Sequence, residues 1–201
     1  MNMTTDIILA SKSKVRALLL KNAGLNFVSV DAAIDEEQLK LSYIDAGYTP
    51  RDVADVLADM KAKKLSNRFP NQIVIGCDQI LSFRKQIISK AKNINDLVHQ
   101  LKILEGNEHI VYSASVVYIN NKPEWRFIGS ANMTMRNLSD DFILKYVEDN
   151  WKKIQHNVGG YEIEGSGASL FSKIDGDHFS VLGIPLLQLI DYLINRGVIK
   201  Q

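Results

Sequence analysis

The chain has 201 residues, of which 46% are hydrophobic and 23% are charged, and its formal net charge is +1. This length supports one good core, or two lobes packed on each other, but hardly two independent domains. The small net charge and the lack of a dense Lys/Arg block argue against a nucleic-acid surface. The single Cys77 excludes an intramolecular disulfide, and no apolar run approaches the ~20 residues of a membrane span. We therefore expect one domain over residues 1–201, located in the cytoplasm, with neither nucleic acid nor a membrane as partner.

The first part of the chain places a polar loop between apolar elements. Periodicity predicts a strand over 6–10, a helix over about 12–23 and a strand over 27–31. Ser11 and Ser13 lie where this helix begins, and Arg16 lies in its first turn. Free N–H groups and the helix dipole favour an anion at such a point, and phosphate is the natural ligand. The same pattern also fits an ordinary strand–loop–helix connection in which a serine caps the helix.

Three carboxylates are candidates for metal binding or base catalysis. The apolar run 73–75 predicts a buried strand that carries Asp78 at its C-terminal end, where a carboxylate can hold a divalent cation or activate water. A capping or turn aspartate fits that position equally well. Glu36, in an acidic run, and Glu164, in a Gly-rich stretch, are predicted on loops. A solvated surface is the usual explanation of an acidic run.

Two lysines are candidates for binding phosphate as flexible point charges. A helix that opens at Thr49 places Lys61 near its end, where a solvated lysine would complement the helix dipole. Lys90 follows a predicted hairpin over 80–89 and has no helix dipole to complement. Together with the serines and the carboxylates, these lysines form a set that suits a polyphosphate with Mg²⁺ and water.

The second half of the chain continues the alternation of helices and strands. The predicted elements are a helix over 93–104, strands over 109–119 and 124–135, a helix from Ser139 to about 149, loops and short strands over 158–177, and a helix over 185–196. The fold class expected from this order is α/β, with a mixed twisted sheet, flanking helices and two lobes around a cleft.

Six motifs in order resemble the Maf nucleoside triphosphate pyrophosphatases, which are also called septum formation inhibitor proteins. ILASKSKVRALL resembles the opening LASxSPRRxxLL of that family, VIGCDQIL its ViGaDt/q strand, and ISKA its GKP turn. HIVYSASVV is similar to HxVyTgvav, VGGYEIEG to AGxYgIqG, and KIDGDHFSVLGIPL to KIdGdyxxVvGLPL. The resemblance covers essentially the whole chain.

This resemblance implies an ITPase-like fold and hydrolysis of a nucleoside triphosphate between its α and β phosphates, with Mg²⁺ or Mn²⁺. It also implies a homodimer. By motif, Asp78 would be the proton acceptor, with Glu36, Lys61 and Lys90 as further catalytic residues. Asp78 and Glu36 would bind the metal. The implied substrate-binding residues are Ser11, Ser13, Arg16, Gln79 and Glu164.

The chain departs from the family pattern at several positions. Val15 stands where an arginine is usual, which removes one bidentate phosphate ligand, and Ala91 stands where proline would stiffen the turn. Gln79 and Glu164 resemble the branch that acts on 7-methyl-GTP more than the branch that acts on dTTP and UTP. A carboxylate can accept from the N1–H and the amino group of guanine, whereas an amide suits a pyrimidine.

Two other functions remain open from the sequence. The loss of the arginine at Val15 is compatible with a protein that binds nucleotides without turnover and regulates cell division or septum formation. Alternatively, the strand pair over 109–135 is an interaction surface and the anion loop is incidental. Asp78 together with Lys61 and Lys90 favours the enzyme, because binding alone does not need a carboxylate that activates water.

Overall fold

The computed structural model describes residues 7–200 of the chain, so residue 6 of the first predicted strand lies outside the described residues. Its elements in chain order are β1 (Ile7–Ala10), α1 (Lys14–Asn22), β2 (Phe27–Ser29), α2 (Glu36–Asp45), α3 (Pro50–Arg68), β3 (Ile73–Phe83), β4 (Gln86–Ile88), α4 (Ile94–Leu104), β5 (Glu108–Ile119), β6 (Lys122–Met135), α5 (Asp140–Ile154), β7 (Phe171–Gly176), α6 (His178–Val181) and α7 (Leu186–Asn195). Two 3₁₀ turns, Val158–Gly160 and Ser166–Leu170, lie between α5 and β7.

The strands form one mixed sheet in the order β2-β1-β3-β5-β6-β7, with β4 paired to β3. Strand β1 runs parallel to β2 and β3, and the remaining pairs are antiparallel. The predicted fold class, a mixed α/β sheet with flanking helices, is confirmed. Strands β1 and β4 share one edge of β3, with β1 pairing up to Gly76 and β4 from Leu81. Between them, residues 77–80 face the polar loop of α1 instead of a described strand.

Helix α3 packs directly on β3, and Gly76 makes this close approach possible. A Cβ at Gly76 would overlap the carbonyl oxygen of Ala58 and lie 2.7 Å from the amide nitrogen of Ala62. Both alanines are completely buried. The helix backbone therefore lies close enough to the strand for the side chain of Lys61 to reach Asp78.

Polar side chains begin the main helices as the sequence predicts. Ser13, Asn93 and Ser139 cap α1, α4 and α5, and Thr49 with Asp52 forms a complete capping box at α3. These side chains satisfy N–H groups that have no partner within the helix. The structure thereby confirms the predicted starts of these helices.

The placement of Glu36 on a loop was wrong, because Glu36 is the first residue of α2. Asp35 caps this helix by accepting from the amide of Gln38, and the carboxylates of Glu36 and Glu37 complement its dipole. Helix α2 was missed because its sequence has little apolar periodicity. The acidic run is therefore a signal for the start of a helix.

Two predicted positions along elements also need correction. Asp78 lies in the middle of β3 and not at its end, because antiparallel pairing with β5 continues to Ser82. Lys61 lies well inside the 19-residue helix α3 and is buried, so it is not a solvated residue of a last turn. Helix α5 likewise continues beyond the predicted end near 149, to Ile154. Within residues 7–200, none of the helices combines the length and apolar character that a bilayer crossing requires.

His109 on β5 is a buried ionisable group in the core beside the cleft. It is 1% exposed, and its Nε2 lies 2.9 Å from the hydroxyl oxygen of Tyr161. Its Nδ1 is buried without a hydrogen-bond partner among the described atoms. Burial lowers the pKa of His109 from 6.5 to about 4. The folded protein therefore holds this ring neutral at a pH where the unfolded chain would protonate it.

We expect His109 to make the protein sensitive to acid. Because its folded pKa is depressed, its contribution to stability is present above pH 6.5 and is lost as the pH falls toward 4. The loss amounts to about 3 kcal/mol of unfolding free energy. His109→Phe should be less stable at neutral pH but should lack this dependence, as measured by urea unfolding between pH 7 and 4. His99→Gln, an exposed control on α4, should keep the wild-type slope, and an unchanged slope in His109→Phe would contradict the assignment.

Candidate functional site

A buried lysine joins two carboxylates from different elements. Lys61 Nζ lies 2.6 Å from Glu36 Oε1 and 2.6 Å from Asp78 Oδ1. Lys61 is 6% exposed and Asp78 is 4% exposed, whereas the side chain of Glu36 is more open. Helix α3, the start of α2 and the middle of β3 thus meet at one ammonium group. We call Glu36, Lys61 and Asp78 the carboxylate–lysine cluster.

Lys61 and Glu36 are held in their charged forms. Burial disfavours the charge of Lys61, but Asp78 and Glu36 outweigh burial and raise its pKa above the ordinary value. Burial likewise disfavours the charge of Glu36, yet Lys61 together with Lys90 lowers the pKa of this carboxyl group below its ordinary value. A fixed cation and the Glu36 carboxylate therefore stabilise each other's charge.

One oxygen of Asp78 has no partner in the structure. Its Oδ1 accepts from Lys61, whereas Oδ2 is buried and has no hydrogen-bond partner among the described atoms. A buried carboxylate oxygen without a partner is costly, so such an atom indicates a place for a water molecule, a cation or a substrate. This oxygen belongs to the part of β3, residues 77–80, that pairs with neither β1 nor β4.

Arg16 connects the polar loop to this part of β3. Its Nε donates to the carbonyl oxygen of Gly183 at 2.7 Å, and its Nη1 donates to the carbonyl oxygen of Cys77 at 3.1 Å and to Ser11 Oγ at 3.3 Å. Ser11 Oγ also accepts from the amide of Ser13. The guanidinium is buried and holds the loop, β3 and the segment after α6 in fixed positions.

A cleft of about 720 Å³, including space open to solvent, reaches Gln79, the residue after Asp78, although Glu36, Lys61 and Asp78 themselves are not among its lining residues. It is lined by predicted substrate-binding and catalytic residues, namely Ser13, Arg16, Gln79, Lys90 and Glu164. Val15 also faces this space, as do Tyr161 and Glu162. Lys90 is exposed as a residue, but the groups packed around its ammonium desolvate it and lower its pKa below the ordinary value, although Glu36 acts in the opposite direction. Lys90 thus lies within electrostatic reach of both the cleft and the cluster.

Gln79 is fixed by its amide nitrogen. Its Nε2 donates to the carbonyl oxygens of Val181 at 2.9 Å and Ser180 at 3.2 Å, and it lies 3.2 Å from Ser113 Oγ. With Nε2 engaged in this way, its carbonyl oxygen is the group left for a ligand in the cleft. The predicted residues thus form two groups: Ser13, Arg16, Gln79, Lys90 and Glu164 line the cleft, and Glu36, Lys61 and Asp78 form the cluster. Ser11 contacts the first group through Arg16.

Another part of the cleft lining comes from the Gly-rich stretch that the sequence predicts as loops and short strands, including Tyr161, to which the sequence assigns no role. Gly159 and Gly160 adopt positive φ values of 75° and 65°, which places the following residues against the cleft. Tyr161 packs edge to face on Phe171, and Tyr146 donates to the carbonyl oxygen of Gly160 at 3.2 Å. The Gly-Gly-Tyr sequence was the available signal for this part of the lining.

Lys40 was missed because nothing in its local sequence marks it as buried. It is 5% exposed, and its Nζ donates to Glu37 Oε1 at 2.8 Å. Ser89 Oγ donates to the other oxygen, Oε2, of the same carboxylate at 2.8 Å. These contacts depend on α2 lying beside the end of β4, which the sequence alone does not reveal.

The mixed sheet and this arrangement of charges define an α/β protein with a cleft that Arg16 and Lys90 line, near the carboxylate–lysine cluster. Residues 6–196 match the family described as Maf-like protein. The chain belongs to the Maf-like family, as its motifs predict.

Full-length relatives carry names that describe an activity. A protein of Ruegeria sp. (strain TM1040), named nucleoside triphosphate pyrophosphatase, is 45% identical over 99% of this chain and 100% of its own length. A protein of Brucella abortus, named 7-methyl-GTP pyrophosphatase, is 42% identical over 94% of each chain. Among solved structures, a HAM1 protein from Coxiella burnetii is similar over 94% of this chain and 98% of that chain, at 14% identity and a TM-score of 0.49. A likeness of that degree carries no conclusion about function.

Proposed function

We propose that the protein hydrolyses a nucleoside triphosphate between its α and β phosphates and releases a nucleoside monophosphate and pyrophosphate. The observation that carries this proposal is the buried Oδ2 of Asp78, which has no hydrogen-bond partner among the described atoms. Asp78 lies beside Lys61 and directly precedes Gln79, which lines the cleft together with Lys90 and Ser13. A triphosphate needs cations, and its hydrolysis needs a base for water. Both are present at one place.

The protein is a nucleoside triphosphate pyrophosphatase and hence a hydrolase, as its family shows. It belongs to the Maf-like family over nearly the whole chain, and relatives of that name match it from end to end. The roles of individual residues are our proposal.

In the proposed reaction, Asp78 accepts the proton of the attacking water. The water oxygen bonds to the α phosphorus as the bond to the α–β bridging oxygen breaks, and the electron pair of that bond leaves with pyrophosphate. Lys61 orients Asp78 through its 2.6 Å contact with Oδ1. Lys90, with Ser11 and Ser13, would balance the negative charge that builds on the leaving group. Arg16 supports this loop through its three bonds to oxygen.

The donor set at the cluster fits Mg²⁺ or Mn²⁺. Carboxylate oxygens are the ligands that these cations prefer, and Asp78 Oδ2 is an acceptor without a partner. Asp78 and Glu36 are the residues that would hold the ion, and phosphate oxygens and water would complete its coordination. When bound, the ion would neutralise phosphate charge during the reaction. Within residues 7–200, no group of three or more His, Cys, Asp or Glu side chains converges as a metal site, so the substrate must supply ligands.

We propose a preference for a 7-methyl-GTP-like substrate over dTTP and UTP. Glu162 and Glu164 line the cleft, and a methylated guanine carries a positive charge that carboxylates attract. The relative from Brucella abortus bears the name of this activity. Gln79, whose amide nitrogen is already engaged, would offer its oxygen to the same ligand.

This function is tested by the products and by a substrate series. Purified protein with Mg²⁺ or Mn²⁺ should release pyrophosphate and a monophosphate, with higher kcat/KM for 7-methyl-GTP than for dTTP or UTP. Glu164→Gln should reduce this preference by about tenfold, since a charged acceptor is lost. Release of orthophosphate without transient pyrophosphate would exclude α–β cleavage, and tight binding without any release would favour a nucleotide-binding regulator.

We also propose a location, an oligomeric state and a class of partner for the protein. A cytoplasmic location agrees with the single buried cysteine, Cys77, whose thiol pKa is raised by burial. A homodimer is proposed by analogy with the family. Small nucleotides, rather than nucleic acid, suit a site that is local in a chain with a net charge of +1.

A further inference from the structure

Lys40 is a buried cation that the proposed reaction does not use. It is 5% exposed, although lysine is almost never buried unless it is paired. Its partner is Glu37, at 2.8 Å, which is itself largely exposed. The next residue to Glu37 along the chain is Glu36, which belongs to the carboxylate–lysine cluster. Lys40 therefore stabilises the first turn of α2 through its contact with Glu37 in the same helix.

Glu37 also contacts the segment that follows β4. Its second oxygen, Oε2, accepts from Ser89 Oγ at 2.8 Å. The carbonyl oxygen of Ser89 accepts from Gln100 Nε2 of α4 at 3.0 Å. Lys40, Glu37, Ser89 and Gln100 thus link α2, the end of β4 and α4, and we call these four residues the Glu37 brace.

Each end of the brace lies next to a residue of the proposed active site. Glu36 precedes Glu37, and Lys90 follows Ser89. Adjacent Cα atoms are about 3.8 Å apart, so a shift of Glu37 or Ser89 moves its neighbour with it. Lys90 is exposed on a segment without helix or strand, and Ala91 after it leaves that segment without proline stiffening. The brace supplies the restraint that local sequence does not.

We propose that Glu37 and Ser89 are positioning residues that hold Lys90 against Glu36 and so preset the triphosphate site before a ligand arrives. This inference rests on the proposed function, because it assigns the brace to the binding of a triphosphate. Glu37 binds both Lys40 and Ser89 with separate oxygens, so its carboxylate has a fixed orientation. A fixed lysine loses less freedom on binding phosphate than a mobile lysine.

The test measures binding and therefore does not depend on turnover. Calorimetry would give the Kd of a GTP analogue in which methylene replaces the α–β bridging oxygen. We expect Glu37→Ala and Ser89→Ala each to weaken binding about tenfold, the effect of losing one hydrogen bond to a charged group. The Kd of the double variant should be no higher than that of the single variant with the higher Kd, because each substitution removes the same link between Glu37 and Ser89.

Two further arms separate positioning from a general loss of structure. In a Lys90→Ala background, Glu37→Ala should change Kd less than twofold, because the brace acts through Lys90. Asp149→Asn, which removes a comparable i,i+4 ion pair from the exposed face of α5, should leave Kd unchanged. An unchanged Kd in both Glu37→Ala and Ser89→Ala, or a full effect of Glu37→Ala in the Lys90→Ala background, would overturn the proposal. Failure of the wild type to bind the analogue would overturn the proposed function and the role of the brace with it.

Discussion

Asp78→Asn should still bind a nucleoside triphosphate but turn it over at least ~100-fold more slowly, the scale expected for the loss of a general base. Asparagine has nearly the same volume, and its side-chain oxygen can still accept from Lys61, so β3 and α3 should remain packed. The amide cannot accept the proton of water. The measurement is kcat for pyrophosphate release, together with the Kd of the methylene analogue. Equal kcat values for variant and wild type would remove Asp78 from the mechanism.

A matched control for this variant lies on the outer surface of α3. One oxygen of Asp55, Oδ2, pairs with Arg126 at 2.7 Å, and the other, Oδ1, is buried without a hydrogen-bond partner among the described atoms. Asp55 thus shares with Asp78 one paired oxygen and one buried oxygen without a described partner, but it is more exposed and does not line the cleft. Asp55→Asn should keep kcat within twofold of the wild type. A large loss of activity in this control would show that charge removal from α3 and β3 acts through stability and not through chemistry.

The sequence predicted the elements of the fold where a local signal defines them. Side-chain caps at Thr49 and Asn93 and the apolar run of β3 act over a few residues, so they can be recognised without a structure. Helix α2 was missed since its stability comes from capping by Asp35 and from packing on α3, not from an apolar stripe. The end of β3 was misplaced because pairing with β5, which is distant in sequence, prolongs the strand.

The same distinction between local and long-range signals explains which features of the candidate site could be predicted from the sequence. Motifs identified Asp78, Lys61 and Glu36 as a set, but only the structure places one ammonium 2.6 Å from both carboxylates. The environment of Lys61 could not be inferred from its helix, because its burial depends on the close contact that Gly76 allows between α3 and β3. The burial of Lys40 could not be predicted either. This lysine lies on a polar helix, and its local sequence gives no sign that the folded chain buries it. Burial of a charge is a tertiary property.

Lys61→Met should destabilise the fold more than any other single change at this site. Methionine fits the space of the aliphatic stem, but it removes the cation that offsets two carboxylates, and Asp78 is then left buried and unpaired. Breaking one partner from a buried ion pair costs about 3 to 5 kcal/mol. The free energy of unfolding at pH 7, from urea titration, measures this loss. Exposed Lys102, which pairs with Asp140 at 2.8 Å, provides the control, and Lys102→Met should cost less than about 1 kcal/mol.

The pH dependence and a second substitution make this prediction specific. Because the folded pKa of Lys61 is raised, its stabilising effect is complete below pH 10.5 and is lost as the pH rises beyond that value. The difference in unfolding free energy between the wild type and Lys61→Met should therefore become smaller at alkaline pH. Asp78→Asn added to Lys61→Met should recover part of the loss, since a neutral amide replaces the unpaired charge. A Lys61→Met protein as stable as the wild type at pH 7 would mean that the buried cation contributes nothing to the fold, and Lys61 would then be retained for the triphosphate alone.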